Sequence, residues 1–596
     1  MKWNSRLTAG LLTLIMLLTT LIVPAIADDV TPDHSYTYWL HAGVDNTSYY
    51  TAYQDNPGVR YSLDYKTYQV DGNDVRVDVE FWVPIAGSEN DNFNTLIATD
   101  SYADVMSLGM YHGSLTELYR DGIALDLTDL VPKYMPNYYA YLQAHPEYTA
   151  TNLVDGEPRI LQLWSFNDDL ISTYWGGWMY RRDWIVKYGK NPLDGSSFTG
   201  SYTGTMEDGS PDRKTWQDNV VFPSGGYHPV TISDWEWMFE IFTVALQDLS
   251  ITDGYCMSLY YPGYLELGDI VSSFGGGSAH WYLNRDTGAY DFGGNSEHFR
   301  TYLQCMNTWY KNGWIDKAFA EHASDMFFQI DSAKVYQGKV GLWYGQISQL
   351  MGSLDDSSSP YRDGMVVFSA AQPINDKYGT EDQKNREPDC FFQPSHADTS
   401  IMITDKAAKK DLPALLSWLD YFYTPEGSRL RFFGLSKEQV EETQDPVYLA
   451  LGLTEGGYYA VETEDGVKYQ YVQKMIDDDQ ILSITTAVYM FSKGGPADWL
   501  GKAPLEQDLV EQWNLYQATG LLSNLFKSQM DADDARAFTK TETRIREFMS
   551  KNVPPFIRGE KDPFSDQDWN AFVKGLSKYG PEKNTKIYQE LWEQFQ

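Results

Sequence analysis

Cysteine is scarce in this chain: three residues, Cys256, Cys305 and Cys390, in 596. That excludes a disulfide-stapled scaffold and allows at most one bridge, whose pair the sequence does not fix. None of the three has a neighbour at metal-ligand spacing, so each reads as a small buried apolar residue. Positive charge is short as well, with 46 Lys and Arg against 83 Asp and Glu and a net charge of −37. Such a surface repels phosphate backbones and anionic headgroups, which argues against nucleic acid as a partner. No nucleophile triad, phosphate loop or metal cluster is present. "FGGGSAH", Phe274 to His280, lacks the strand, helix and Lys context that a phosphate site needs. No cofactor and no metal are expected.

What is present is aromatic. Tyr, Phe and Trp make up 15% of the chain, which argues for a folded protein despite the acidity. At the N-terminus, Lys2 and Arg6 precede an apolar run from Leu11 to Val23 and the small-x-small triplet Ala25-Ile26-Ala27. This is the pattern of an export signal cleaved after Ala27, and the run is short for a retained anchor. Cleavage removes two cations and no acids, taking the charge from −37 to −39. The expected location is outside the cell or on its surface.

The length suggests two or three domains. "SYTYWLHAG" reads as a strand entering a glycine turn. "YKTYQVDGNDVRVDVEFWV" reads as a hairpin turning at Asp71-Gly72, with Val75, Val77, Val79, Phe81 and Val83 alternating as a half-buried strand requires. A helix and a strand follow in "NDNFNTLIATDSYADVMSLG", and such alternation implies an open α/β sheet. "WGGWMYRRDWIVKYG" reads as a strand entering a helix, followed by a polar loop from Gly189 to Pro229. Ser233 and Glu236 in "TISDWEWMFEIF" have capping-box spacing. "MVVFSAAQP" is a further strand. Leu415, Trp418, Leu419 and Phe422 share one helix face, and Thr424-Pro425 starts the next helix. The remainder reads as polar helices and loops.

These stretches occur in a familiar order. "DNFNTLIATDSYADVMSL", "LYRDGIALDLTDLVPKYMPN", "MYRRDWIVKYG", "ISDWEWMFEIF", "GKVGLWYGQ" and "LPALLSWLDYFYTPEGSRLRFFGL" resemble the extracellular solute-binding proteins of bacterial ABC transporters. The group in question is the large carbohydrate-type one of Gram-positive bacteria. The resemblance runs from about Asn92 to Leu435. It implies a two-lobed α/β periplasmic-binding-protein-like fold with a ligand cleft between the lobes, no enzymatic activity, and a membrane permease as partner of a monomeric chain. By this analogy the first lobe takes 28–163 and 365–423, and the second takes 164–362 and 424–596 after the 1–27 signal. Hinge strands fall near "LWSFNDD", with Trp164, Asp168 and Asp169, and near "RDGMVVF". Members of the group are usually lipoproteins, but Asp28 stands where their lipid-bearing Cys would be.

A sugar ring presents C–H patches on its faces and hydroxyls around its edge, so its site needs flat apolar platforms and fixed polar groups. Trp343 and Tyr344 resemble the strand-end aromatics of the family, and the flanking Gly341 and Gly345 would let a ligand or the opposite lobe approach. The competing reading is a buried doublet, of which alternation points one ring in and one out. Trp175 and Trp178 bracket two glycines and suit a platform or packing equally. Tyr260, Tyr261 and Tyr264 flank a Pro-Gly turn. Tyr111 and His112 follow a strand, and His41 with Asp45 follows the first one, where open α/β sheets bind ligands. "NRDTGAYD", with Asn284, Asp286 and Asp291, has acids but not the spacing of a Ca²⁺ loop.

The expected function, as the resemblance implies, is capture of a carbohydrate, an oligosaccharide, for an ABC-type importer. The alternatives are a secreted glycoside hydrolase using a carboxylate pair, a peptide-binding member of the same group, and an adhesin without a small ligand.

Overall fold

The computed structural model describes residues 32–40, 56–84, 88–109, 111, 113–145, 148, 153–154, 157–167, 176–198, 220–259, 270–321, 334–335, 337–346, 365–388, 397–464, 466–477, 479–486, 490–496, 498–500, 510–516, 530 and 532–595. The chain divides into two compact units. Unit 1 comprises Met1–Thr173 and Ser395–Gly501, and unit 2 comprises Tyr174–Pro394 and Lys502–Gln596. Strands of the two main sheets are numbered in chain order: β1 His34–Trp39, β2 Val77–Trp82, β3 Val105–Ser107, β4 Leu163–Phe166, β5 Gly176–Arg181, β6 Tyr255–Met257, β7 Val340–Gln346, β8 Val367–Ala370 and β9 Ala397–Ile403.

Unit 1 is built on a five-stranded sheet of order β2-β1-β3-β9-β4. β1 runs parallel to β2, with Trp39 beside Trp82, and parallel to β3. β9 runs antiparallel to β3 and β4. Val77 and Val79 face inward while Glu80 points to solvent, as the alternation requires. The Asp71-Gly72 turn is real, with φ of 48° and 87°. It closes only the small hairpin Tyr68–Val70/Asn73–Val75. Beyond Arg76 the same valine run leaves the hairpin and joins the sheet as β2, so the sequence reading merged two elements.

The sheet packs against helix Glu89–Ala98 and its neighbours through Trp39, Phe93, Met106, Leu115, Leu118 and Met402. Helix Leu412–Tyr421 buries Leu415, Trp418 and Leu419 completely. Thr424 caps helix Pro425–Phe433, accepting the Gly427 amide. The C-terminal part of unit 1 also carries a hairpin, Tyr458–Thr463/Gly466–Tyr471, where mainly helices and loops were expected.

Unit 2 holds the sheet β6-β7-β5-β8, in which β7 is parallel to β6 and antiparallel to β5. Helix Ile232–Asp248 covers it with Trp235, Phe239 and Phe242, and helix Glu297–Lys311 adds Phe299, Tyr302 and Trp309. The capping box of the first helix is Thr231 with Asp234, not Ser233 with Glu236. The helix begins two residues earlier than the spacing suggested. The Ser233 amide instead bonds the Asp376 carboxylate. Glu236 accepts the Trp309 indole and Tyr378 hydroxyl and pairs with Lys377.

The unit boundaries depart from the expected lobes in three places. β8 belongs to unit 2 because it pairs with β5, Val367 beside Arg181. The chain returns to unit 1 only at Ser395, so "RDGMVVF" lies inside unit 2. Residues 424–501 stay with unit 1, and 164–173 lie on the unit 1 side of the first boundary. Among the described residues no helix is long and apolar enough to cross a membrane.

Candidate functional site

In unit 2 the rings of interest stand on β5 and β7. Antiparallel register puts Tyr344 opposite Trp178 and Trp343 opposite Met179. Directly opposed residues share a sheet face and successive ones alternate, so the Trp343-Tyr344 doublet is split between the two faces. Trp343 is fully buried, packed with Met179, Tyr255, Val367, Val510 and Trp513 of its own unit. This corrects the expectation of an exposed platform: the indole expected to meet a ligand is a core group. Tyr344 is half-buried and meets the edge of Trp178 at 5.7 Å. Trp178 is 3% exposed and packs in turn against Trp235, with centroids 5.3 Å apart.

The glycines around these rings make room for the chain itself. A Cβ on Gly177 would stand 2.2 Å from the Trp513 ring, whose indole N–H donates to the Trp178 carbonyl at 2.9 Å. A Cβ on Gly341 would meet Phe242 at 2.3 Å and the Cys256 carbonyl at 2.8 Å. The close approach inferred from Gly341 is therefore real, but helix Ile232–Asp248 makes it rather than a ligand.

Among the described residues the indole N–H groups of Trp178, Trp235 and Trp343 have no hydrogen-bond acceptor. The cations beside the ring strands are committed. Arg181 is clasped by both oxygens of Asp183 and by the Gly338 carbonyl, at 2.6–2.8 Å. Arg182 donates to the Tyr180 hydroxyl and the Tyr227 carbonyl and lies over Phe368. Lys339 pairs with Asp253 at 2.9 Å.

In unit 1 the parallel strands β2, β1 and β3 end on one edge of the sheet, the carboxyl edge where open α/β sheets place ligands. Tyr111 follows β3 there, half-buried and stacked on Phe93 at 4.7 Å. Its ring curls over Gly113, and its hydroxyl donates to the Ser114 carbonyl at 3.3 Å. Burial pushes this phenol up to about 12, with Glu117 and Asp121 adding to the rise. Trp82, at the end of β2, was passed over in the sequence. It is half-buried at the same edge, beside Trp39, whose indole donates to Asn92 at 2.8 Å. The signal lay in the topology: a strand parallel to β1 must end where β1 ends.

Trp164 is half-buried in edge strand β4, where the Tyr138 hydroxyl meets its amide and Tyr423 bonds its carbonyl. These bonds hold it as sheet. His41, Asp45, His112, Asp168, Asp169, Trp175, Tyr260, Tyr261 and Tyr264 lie outside the described residues.

Other features resolve as structure. Cys256 and Cys305 are free and buried, and burial pushes the Cys256 thiol up to about 12 against a smaller opposing effect of Thr243. Cys390 lies outside the described residues. In "NRDTGAYD", Asn284 donates to Asp291 across a hairpin turn and Asp286 pairs with Arg386. Among the described residues no group of three or more His, Cys, Asp or Glu could hold a metal ion. A groove of about 820 Å³ between strand Ala289–Phe292 and helix Pro581–Phe595 contains none of the expected site residues. There Gln589 caps the strand edge by accepting the Tyr290 amide.

No protein-family model matches this sequence, and no curated protein matches it. Solved structures do match over nearly the full chain. An extracellular solute-binding protein from Bifidobacterium longum subsp. infantis aligns with a TM-score of 0.59 at 15% identity, covering 96% of this chain and 100% of that one. The S. pneumoniae ABC-transporter substrate-binding protein FusA, in complex with kestose, gives 0.57 at 14%, covering 94% and 99%. The alginate-binding protein AlgQ2 gives 0.56 at 13%, covering 95% and 99%. The chain has the two-lobed α/β fold of these solute-binding proteins.

Proposed function

We propose that this chain is an extracellular solute-binding protein that captures a carbohydrate, an oligosaccharide, and delivers it to an ABC-type importer. The observation that carries this reading is the full-length likeness of fold to binding proteins of this kind, one named as alginate-binding and one solved in complex with kestose. Half-buried Tyr344 in unit 2 and half-buried Trp82 and Tyr111 in unit 1 support it, since each is an aromatic that remains partly accessible. In this reading His41, Asp45, His112, Trp175, Tyr260, Tyr261 and Tyr264 supply further contacts, and Trp178 backs Tyr344 rather than facing the sugar alone. The N-terminal segment is an export signal cleaved after Ala27, and the partner is a membrane permease. The protein binds without cleaving.

A thermal-shift screen of the mature chain against oligosaccharides and peptides tests this. A true ligand at 100 times its Kd stabilises the folded state by about 2.7 kcal/mol. The expected result is a clear rise in Tm with at least one oligosaccharide and no release of product from chromogenic glycosides. Stabilisation by peptides alone would move the reading to a peptide carrier, and glycoside turnover would move it to a hydrolase.

A further inference from the structure

We infer that the captured carbohydrate is uncharged, an inference that rests on the proposed function. A sugar acid brings a carboxylate, and a carboxylate taken out of water needs a cation or several converging donors. The cations beside the ring strands cannot serve without breaking bonds already made. Arg181 and Arg182 are at most 1% exposed. Arg181 is neutralised bidentately by Asp183, and Lys339 is paired with Asp253. Arg182 spends donors on Tyr180 and Tyr227 and lies on Phe368. Freeing either arginine would strand a buried charge or carbonyl, and Lys339 would give up its ion pair with the solvent-exposed Asp253.

What the same strands hold in reserve is neutral. Trp178 is 3% exposed, its indole N–H has no acceptor among the described residues, and Tyr344 is packed edge-on beside it. An unmet buried N–H costs roughly 1–3 kcal/mol, which a hydroxyl or ether oxygen recovers without bringing charge. The whole chain points the same way. With 83 acids against 46 bases, its field opposes the approach of a polyanion and leaves a neutral glycan unaffected.

Isothermal titration of the full mature chain separates the outcomes. One set of ligands is neutral (kestose, maltotriose, xylotriose and cellotriose, with their longer homologues), and the other is trimers and hexamers of mannuronate and galacturonate. Each is run at about 50 and about 500 mM NaCl, so that screening differs strongly. The expected result is binding within the neutral set, with a Kd that changes less than about twofold between the two salts. The best uronate is expected to bind at least about 100-fold more weakly. A uronate that matches or exceeds the best neutral sugar overturns the inference while leaving carbohydrate capture standing. Silence from both sets removes carbohydrate capture itself, and the inference with it.

Discussion

The two units present their rings by different means. In unit 1 three parallel strands end together, and the half-buried aromatics, Trp82 and Tyr111, sit at or just past those ends. In unit 2 the rings are within the strands, and register decides which of them is covered: Trp178 and Tyr344 share one face, Trp343 and Met179 the other. The parallel arrangement makes a site by position along the strand. The antiparallel one makes it by parity, so a single step along the chain separates a core indole from a half-buried phenol.

The units also differ in what they bury. In unit 1 the phenols of Tyr38, Tyr138, Tyr423, Tyr448 and Tyr471 are all pushed upward, chiefly by burial, and in unit 2 so are those of Tyr378 and Tyr588. Their folded values lie above the unfolded value of 10.0. Neutral phenol is therefore kept at full stability below that pH, and stability falls as pH rises beyond it. Unit 1 is expected to unfold first under alkali, tyrosinate absorbance rising together with its loss of amide protection in hydrogen exchange. If unit 2 opens first, the contrast in buried phenols does not govern alkaline stability.

Parity in unit 2 predicts the next largest effect. Trp343→Ala should cost about 3–5 kcal/mol in urea unfolding, since it removes a fully buried indole. A stable Trp343→Ala protein with weakened sugar binding would reverse the assignment of the two faces. Gly341→Ala should cost about 1–3 kcal/mol by the same measurement, because its new methyl meets Phe242 and a backbone carbonyl. Tyr344→Ala is expected to unfold within about 1 kcal/mol of the parent yet to lower sugar affinity about tenfold, ~1.4 kcal/mol, by calorimetry. Equal affinity would remove Tyr344 from the site and leave the unit 1 edge as the place to look.

Much of this was legible in the residues. The β1 and β3 strands, helix Leu412–Tyr421 and the Thr424-Pro425 start follow from local patterning, and the motif order implied the binding-protein fold. What local patterning cannot carry is partnership at a distance. Val77 to Val83 read as the far arm of a hairpin because nothing nearby says that β1 is its partner. Gly341 read as room for a ligand or the opposite lobe because Phe242, which fills that space, is far away in sequence. Thr231 was missed as the cap because Ser233 offers the same chemistry two positions later.

Trp513 lies 335 positions after the Trp178 carbonyl it bonds, beyond the last return of the chain from unit 1. Synthesis runs from the amino end. Every residue of unit 1 has therefore been made before the indole that closes β5 exists. Until then the Gly177 strand has an uncovered apolar side, so unit 2 is the body that matures last, and any chaperone that guards this polypeptide has that strand to guard.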